Sequence, residues 1–544
     1  MFKAVKLAQL LSGVYILTVT FTHLGQLGQF GGARDPISGF IIDPACEENT
    51  NAGVLEWNGD LRSVVAQTQT QMVLLGCSRF SSFFMYPALI LVFLTKLRAT
   101  GAFLSSTLFN MFLYQDMHRL HVYCGWIILI DSCLHTTFHL ARWSLQGNLH
   151  LLLYHTSGIT GFIVILSAFL ICMPMMFFKN KIKYELRKLS HYLFLVFGIA
   201  MCFHAPKSAL PNGGFCAYIF PTLLVWYGLD ALFCALFMTE LIETTRYHTL
   251  PSGVQMTMAV SKRFQSMNHG GYAYVCFPWV DRHQWHAFSL FENPKNPEER
   301  QVFMERTGDW TNKVHELLQR DTVRPVWIQG PFPSPYKNAI RYDSQILVAA
   351  GIGITPALSV IRAHKDYRRI NLIWAVRDPA MLKFFLEHTY LDNRGWNLIF
   401  YTGKEPLLID NLAATNNACI IRSRPKLDQL VPNIVYGIES GEGRPERYLP
   451  NQKVDATNLL PEELNKLVMA SEMSPEYAKE LGYNCFKPWE EHEEATPYAQ
   501  NLDPRLVKST WGIIYCGGKN KLLTSLEETA HDVGIKLHCE SFEW

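Results

Sequence analysis

The chain has 544 residues, with 49 lysines and arginines against 47 acidic residues, so it lacks the strongly basic surface that nucleic-acid binding requires. Its 13 cysteines include no CxxC pair, which argues against a zinc or iron–sulfur site. The charges are unevenly placed: the first 240 residues are apolar and the remainder reads as soluble protein, so an integral membrane half joined to a globular half is expected.

Six apolar runs lie at Ala4–Leu24, Met72–Leu94, His121–Leu140, Gly158–Phe178, Leu189–His204 and Phe215–Met238. Each approaches the ~20 residues a helix needs to cross ~30 Å of hydrocarbon. The first has no small-residue cleavage site near its end and is read as a span, not a signal peptide. With a cytosolic N-terminus, the inner segments hold Lys3, Lys6, Lys96, Arg98, Arg119, Lys179, Lys181, Lys183, Arg187, Lys188 and Arg246. The outer loops then hold only Arg34, Arg62, Arg142 and Lys207, as the positive-inside rule demands. The expectation is a multi-pass protein of the plasma membrane or an endomembrane, with both termini cytosolic and the lipid bilayer as its surroundings. Cys46 and Cys216 fall on the outer side, where the residues leave open whether they pair. There is no N-glycosylation sequon and no EF-hand pattern, so calcium control by that route has no support.

The third run carries His121 and His135, fourteen residues apart, and the fifth carries His191 and His204, thirteen apart. Fourteen helical residues make ~3.9 turns and ~21 Å, so His121 and His135 share a face near opposite leaflets. Two such helices side by side supply two stacked imidazole pairs, each able to grip a haem iron from both sides. Ionisable residues are costly in a membrane, and two matched pairs outweigh the alternative of interhelical hydrogen bonding. The thirteen-residue spacing leaves the fifth-run rings ~140° apart on an ideal helix, so that helix must deviate locally or its side chains must reach.

From about Gln255 the pattern changes to short alternating segments. The stretch Tyr272–Leu290 has strand character, and Gly308-Asp309-Trp310-Thr311 precedes a helical stretch at Asn312–Leu318. Ser344–Ala350 is an apolar strand that runs into Gly351-Ile352-Gly353-Ile354-Thr355-Pro356 and then a helical stretch, Ala357–His364. Glycines let the backbone approach a phosphate, with Thr355 expected as N-cap and Pro356 at the first helical position. The helix N-terminus would face a pyrophosphate. Ile370–Val376 is a second parallel-type strand ending at Arg377, which by its position either pairs with a 2′-phosphate, favouring NADP over NAD, or is an ordinary solvated arginine. A third, Trp511–Tyr515, leads into Cys516-Gly517-Gly518. Alternating strands and helices imply a doubly wound sheet, interrupted by a polar insertion at about 424–507 that is partly helical around Pro461–Ala470.

Taken together, these features resemble the superfamily of NADPH oxidases and transmembrane ferric reductases over nearly the whole chain, with histidine spacings of 14 and 13 similar to the oxidases. The resemblance implies a membrane all-α six-helix bundle plus a soluble ferredoxin–NADP-reductase-like module, a β-barrel flavin domain and an α/β nucleotide-binding domain. The boundaries would be 1–245, 246–340 and 341–544. It implies two haems b, FAD and NADPH, with His121 and His191 on the inner haem and His135 and His204 on the outer. His286, Phe288 and Ser289 match a flavin motif, with Ala287 where proline is usual. Gly308, Trp310 and Thr311 match a companion motif whose upstream arginine is out of register, Arg306 lying one position off. Gly330 and Pro331 resemble the segment leading to the nucleotide domain, with Pro333 replacing a glycine. Gly351, Gly353, Thr355, Pro356, Arg377, Cys516 and Gly517 match nicotinamide-nucleotide positions, and Trp544, or alternatively Phe542, matches the aromatic that covers the flavin.

The implied activity is electron transfer from cytosolic NADPH through FAD and two bis-histidine haems to oxygen, making superoxide, with ferric-chelate reduction as the alternative. Arg79, early in the second run, and His139, late in the third, would sit near the outer leaflet. By resemblance they line the oxygen-reducing pocket as catalytic residues. The resemblance leaves open a regulatory subunit in the membrane or the cytosol. Intact flavin and nucleotide motifs weigh against a non-enzymatic channel or scaffold.

Overall fold

The computed structural model describes residues 69–439 with short breaks and 510–541 apart from 519–520, together with strand segments at 33–34, 41–42, 453–455, 467–469 and 484–485. The first apolar run, Cys46, Phe542 and Trp544 lie outside the described residues. The chain divides into two compact units, essentially residues 1–233 and 234–544.

The first unit is helical: α1 Gln69–Leu94, α2 Arg98–Thr107, α3 Tyr114–Leu145, α4 Thr156–Met176, α5 Tyr184–His191, α6 Phe194–His204 and α7 Phe220–Phe237. Among the described residues, four stretches are long and apolar enough to cross a membrane: Gly76–Leu94, Gly158–Met176, Tyr184–His204 and Cys216–Phe237. α3 covers the expected third span but falls outside that group, because its 32 residues include Asp131, Arg142 and the histidines. At ~48 Å it is also longer than the hydrocarbon layer. The helices pack through Met85, Leu89 and Phe93 of α1, Ile128 of α3, Val164 and Ala168 of α4, Phe197 and Met201 of α6, and Phe220 of α7. Leu166, Ile199, Phe203 and Leu229 are more than half exposed, as a lipid-facing surface requires. Asp230 of α7 accepts hydrogen bonds from the Ala99 and Thr100 backbone N–H groups and the Thr100 hydroxyl, satisfying the free amides at the start of α2.

In the second unit, antiparallel strands β1 Thr239–Leu250, β2 Gly253–Ala259, β3 Tyr272–Cys276, β4 His286–Ser289, β5 Phe291–Asn293, β6 Asn296–Glu305 and β7 Thr322–Phe332 form one barrel-like sheet in the order β4-β3-β7-β1-β2-β6-β5. Alternation along β1 buries Ile242, Thr245 and Tyr247 and exposes their neighbours, with a bulge between Ile242 and Thr245 restoring phase. β1 begins at Thr239, before the expected boundary at 246, because it continues from the end of α7 after one intervening residue. The expected strand character of Tyr272–Leu290 resolves into β3 and β4, which pair antiparallel across a turn. Helix α8, Asp309–Leu317, packs Trp310 and Val314 into the barrel core.

The second sheet contains β8 Ser344–Ala350, β9 Arg369–Val376, β10 Asn397–Tyr401, β11 Ala418–Ile421, β12 Lys453–Asp455, β13 Trp511–Gly517 and β14 Lys536–Ser541. Its order is β12-β11-β10-β9-β8-β13-β14, parallel except at the β12 edge. β8 is fully buried through Ala349, as its continuous apolar run demands of a strand covered on both faces. Helices α9 Ile354–His364 and α10 Pro379–His388 contribute to one core layer, while α11 Leu427–Glu439 and α12 Lys521–Val533 contribute to the other.

The structure corrects two expectations here. The supposed insertion cannot begin at 424, since α11 buries Leu427, Leu430, Val431, Ile434, Val435 and Ile438 against the sheet; its apolar stripe at helical spacing makes it core. Within the stretch expected to be partly helical, Leu467–Met469 is a strand antiparallel to Leu407–Ile409; a short apolar triplet with a pairing partner outweighs weak local helical preference there.

Candidate functional site

The histidines come together in two pairs. The His121 and His191 ring centres are 6.1 Å apart, and so are those of His135 and His204. Two imidazoles on opposite sides of one metal, each bond about 2 Å and each ring centre about 1 Å beyond its nitrogen, stand about 6 Å apart, so both pairs fit an axial haem set. Three of the four Nδ1 atoms are engaged by protein. His121 Nδ1 lies 3.1 Å from both the Val92 carbonyl and Thr95 Oγ1. His135 Nδ1 lies 2.9 Å from the Ser78 carbonyl, and His204 Nδ1 lies 3.4 Å from Thr160 Oγ1. A carbonyl only accepts, and the Thr160 hydroxyl already donates to the Thr156 carbonyl at 2.6 Å, so Nδ1 carries the proton and Nε2 keeps its lone pair. His191 Nδ1 is buried with no partner among the described residues.

The thirteen-residue spacing is accommodated by a break after His191, where α5 ends and α6 begins at Phe194. Tyr192, Leu193 and Leu195 donate to Leu189, Ser190 and Tyr192, three residues back. Winding at about 120° per residue instead of about 100° adds roughly 60° over three residues, in the direction that closes the ~140° offset. Gly161 of α4 completes the outer level: a Cβ there would meet His204 Cε1 at 2.8 Å. Thr95, Thr160 and Gly161 were not singled out from sequence; a hydroxyl or a glycine inside an apolar run is the only signal they give.

His139 packs edge-on against His135, centres 4.6 Å apart. Arg79 directly follows Ser78, whose carbonyl meets His135 Nδ1, so its backbone stands level with the same pair.

In the barrel, Trp310 at the start of α8 stacks on His286 at 4.0 Å, lies parallel to Phe277 at 5.2 Å and 6°, and reaches Phe288 at 6.1 Å. Gly308 is the N-cap of α8, and Thr311 Oγ1 accepts from the Thr307 and Gly308 N–H groups, fixing the turn. Arg306 is exposed and donates to Asn312 Oδ1. Ser289 faces Tyr272, which in turn faces Phe332, so Ser289 lies across β3 from Gly330 and Pro331. Ser289 Oγ and Trp310 Nε1 are each buried without a partner among the described residues, on opposite faces of β4, since Trp310 stacks on His286 and Phe288 and strand residues alternate.

The nucleotide-type residues meet where the strand order reverses, between β8 and β13. Ala349 pairs with Cys516, and a Cβ on Gly353 would collide with the Cys516 carbonyl, so the two strand ends close on each other only with glycine there. Gly351 adopts φ +55°, the left-handed region. Ligands of such sheets bind at this reversal, beyond the carboxyl ends of the strands. Thr355 is not the N-cap, and Pro356 is not the first helical residue. Gly351–Gly353 already forms a 3₁₀ turn continuous with α9, which starts at Ile354, so both residues lie within the first turn, where proline's missing N–H costs nothing. Arg377 is exposed just past β9, one strand from the glycine turn, and its side chain makes no ion pair or hydrogen bond among the described residues.

The two subdomains of this unit are joined at a charged and aromatic seam. Arg362 of α9 donates to Glu292 of β5 at 2.8 Å, and Arg300 of β6 stands 3.7 Å from the same carboxylate. Phe303 of β6 packs on Phe384 and Phe385 of α10 at 5.4 and 5.3 Å. Burial, then the neighbouring Asp378 carboxylate, raise the Glu305 carboxyl above its ordinary range. Replacing Gly353 with alanine is expected to destabilise the unit by about 1–3 kcal/mol and abolish nucleotide-driven flavin reduction, read by thermal unfolding and by bleaching of flavin absorbance.

Comparison with known proteins gives two domain matches: an FAD-binding domain over residues 243–350 and a ferric reductase NAD-binding domain over 342–407. A superoxide-generating NADPH oxidase heavy chain of Dictyostelium discoideum is 24% identical over 54% of this chain and 51% of its own. Ferric reduction oxidase 8 of Arabidopsis thaliana is 24% identical over 49% of this chain and 38% of its own. NADPH oxidase 4 of Rattus norvegicus is 28% identical over 32% of this chain and 36% of its own. The matched region thus spans about half or less of these relatives. The second unit has the fold of a ferredoxin–NADP-reductase-like module, a barrel-like sheet followed by a mostly parallel one, and the two domain matches give it an FAD-binding and an NAD-binding part.

Proposed function

We propose, on the premise that the chain belongs to the superfamily shared by NADPH oxidases and ferric reductases, that it carries electrons from cytosolic NADPH across a membrane to oxygen, releasing superoxide. The observation that carries this reading is the pair of two-histidine sites at two levels of the same helices, in a chain that also holds FAD- and NAD-binding domains. Bound flavin accepts a hydride as a two-electron package and gives up electrons singly, which is what one-electron haem irons require.

The chain's own residues hold these groups. His121 with His191 and His135 with His204 would each hold one haem b, and an acceptor at Nδ1, where one is present, favours the tautomer whose Nε2 can bind a metal. His286, Phe288, Ser289, Trp310 and Gly308, with Thr311 bracing the turn, form the flavin site beside Gly330 and Pro331. The Gly351–Gly353 turn and the start of α9 offer free amides to the pyrophosphate, Arg377 takes the 2′-phosphate, and Cys516 and Gly517 close the nicotinamide end. The resemblance assigns the cover of the flavin ring to Trp544, with Phe542 as the alternative; both lie outside the described residues. The excess of basic residues in the inner segments supports a cytosolic side for both termini.

The relatives include ferric reduction oxidases, so reduction of ferric chelates by the same route is the second reading. The oxidase is favoured by the 14- and 13-residue spacings and by His139 seated against His135. NADPH-driven turnover in sealed vesicles, read separately for superoxide and for ferrous iron, decides between them; ferrous iron without superoxide transfers the assignment to the reductase. An arginine and a histidine beside the outer haem favour negative charge developing on oxygen. Arg79→Ala and His139→Ala are therefore expected to lower superoxide output about ten- to a hundredfold while NADPH still reduces both haems. If haem reduction fails equally, these residues only hold haem.

A further inference from the structure

Trp374 belongs to none of the motifs above, yet it is the residue that fixes the glycine turn. It sits in β9 opposite Ala349 of β8, two residues before Gly351, and is 1% exposed. Its indole N–H donates to the Gly351 carbonyl at 2.8 Å. That same carbonyl accepts the Ile354 N–H, so both of its lone pairs are occupied from the protein side. Nothing lies within 4 Å of where a Gly351 Cβ would stand, so glycine is required there by the left-handed backbone and not by crowding. The indole is itself held edge-on at 5.9 Å by Phe385 of α10, which in turn meets Phe303 and Phe291 of the barrel at 5.3 and 6.1 Å.

We propose that Trp374 is the positioning residue of the dinucleotide loop: its N–H keeps the Gly351 carbonyl turned into the protein, so that the loop presents amides and no carbonyl oxygen to the pyrophosphate. A carbonyl swung outward would set a partial negative charge against a dianionic group, and a buried carbonyl deprived of its donor is costly in place. The inference rests on the assignment of this loop to the pyridine nucleotide. Because the pyrophosphate is common to NADPH and NADH, the residue governs both cofactors alike, unlike Arg377.

The test uses the full-length solubilised protein with flavin bound, measuring NADPH- and NADH-driven reduction of a dye that accepts electrons at the flavin. Trp374→Phe keeps a buried aromatic ring, removes the donor and leaves a small cavity. It is expected to raise KM for both nucleotides by the same factor, about tenfold, with kcat and flavin content retained and the thermal midpoint lowered only by what the smaller ring and the lost hydrogen bond cost. Gly351→Ala disturbs the same carbonyl from the loop side and should give the same common rise. The double variant should be no worse than the worse single, since one carbonyl is at stake. Strictly additive losses overturn the proposal, as does a parallel fall in kcat or flavin content, which marks a merely structural role. Arg377→Ala separates the two layers. If it loses NADPH selectively while Trp374→Phe leaves both KM values unchanged, the proposal fails and the nucleotide site stands. If neither variant alters either KM, the nucleotide assignment itself falls.

Discussion

Alanine at His121 or His191 is expected to remove one haem and leave the other, and alanine at His135 or His204 to do the reverse. In this assignment each haem would be held by one imidazole from α3 and one from the α5–α6 span, so deleting either takes away half of the protein's hold on it and leaves a ring-sized void. Haem content per chain should fall by about half in every single variant, and electron delivery to the outer acceptor should drop to background, because on this assignment the two haems would act in series. Dye reduction at the flavin should persist, since that chemistry belongs to the soluble unit. The pairing is the sharper part of the prediction. His121→Ala combined with His191→Ala should lose no more haem than either alone, whereas His121→Ala combined with His135→Ala should lose both. Measured haem per polypeptide and the visible spectrum decide this. Full haem content in all four single variants would falsify the ligand assignment and leave the histidines as interhelical hydrogen-bonding groups.

The partners of the imidazoles should behave differently from the imidazoles. Thr160→Val removes the oxygen that accepts from His204 Nδ1 without touching the ligand, and Thr95→Val does part of the same for His121, which keeps the Val92 carbonyl. Outer partners of a metal-bound histidine are typically worth 10–100-fold in affinity. Haem should therefore be retained at ordinary concentration in both, with Thr160→Val the weaker binder on dilution.

What could be read in the sequence divides along physical lines. β8, β9 and β13 were legible because a parallel strand covered on both faces must be apolar throughout, and their observed limits differ from the expected ones by at most two residues. The glycine turn was legible because glycine is needed where the backbone must go left-handed or approach another strand closely, and both needs are present at Gly351 and Gly353. The start of α9 was misplaced because a 3₁₀ turn has no side-chain signature, and a threonine before proline imitates a cap. α11 carried its apolar stripe openly, but a polar run beyond it drew the insertion boundary forward. A local departure in the fifth span followed from arithmetic on thirteen residues, while its place, directly after His191, did not. Trp374 stayed hidden because a tryptophan in an apolar strand reads as core, and the direction of its N–H is a tertiary fact.

Arg377→Ala is expected to raise KM for NADPH by about ten- to a hundredfold and to leave KM for NADH within about twofold, since a charge-assisted contact to phosphate is worth about 1.5–3 kcal/mol. The two cofactors differ only in the 2′-phosphate, so a residue acting there must discriminate between them, and one acting on the fold cannot. The position favours discrimination. Arg377 ends β9, the strand next to the glycine turn, it is exposed, and no carboxylate among the described residues pairs with it, so its charge is available to a ligand. The following Asp378 does not offset it by that route, because Asp378 Oδ1 is engaged by the Ala380 and Met381 N–H groups as the cap of α10. Arg377→Lys keeps the charge and loses the planar fork, so it should recover part of the NADPH affinity but not all of it. Steady-state kinetics with both nucleotides, at fixed ionic strength, checks the three variants together. Higher salt should shrink the NADPH advantage of the wild-type chain and leave Arg377→Ala nearly unmoved, because screening acts on the contact that the variant has already lost. Equal losses for NADPH and NADH would instead make Arg377 a structural residue of the β9 end.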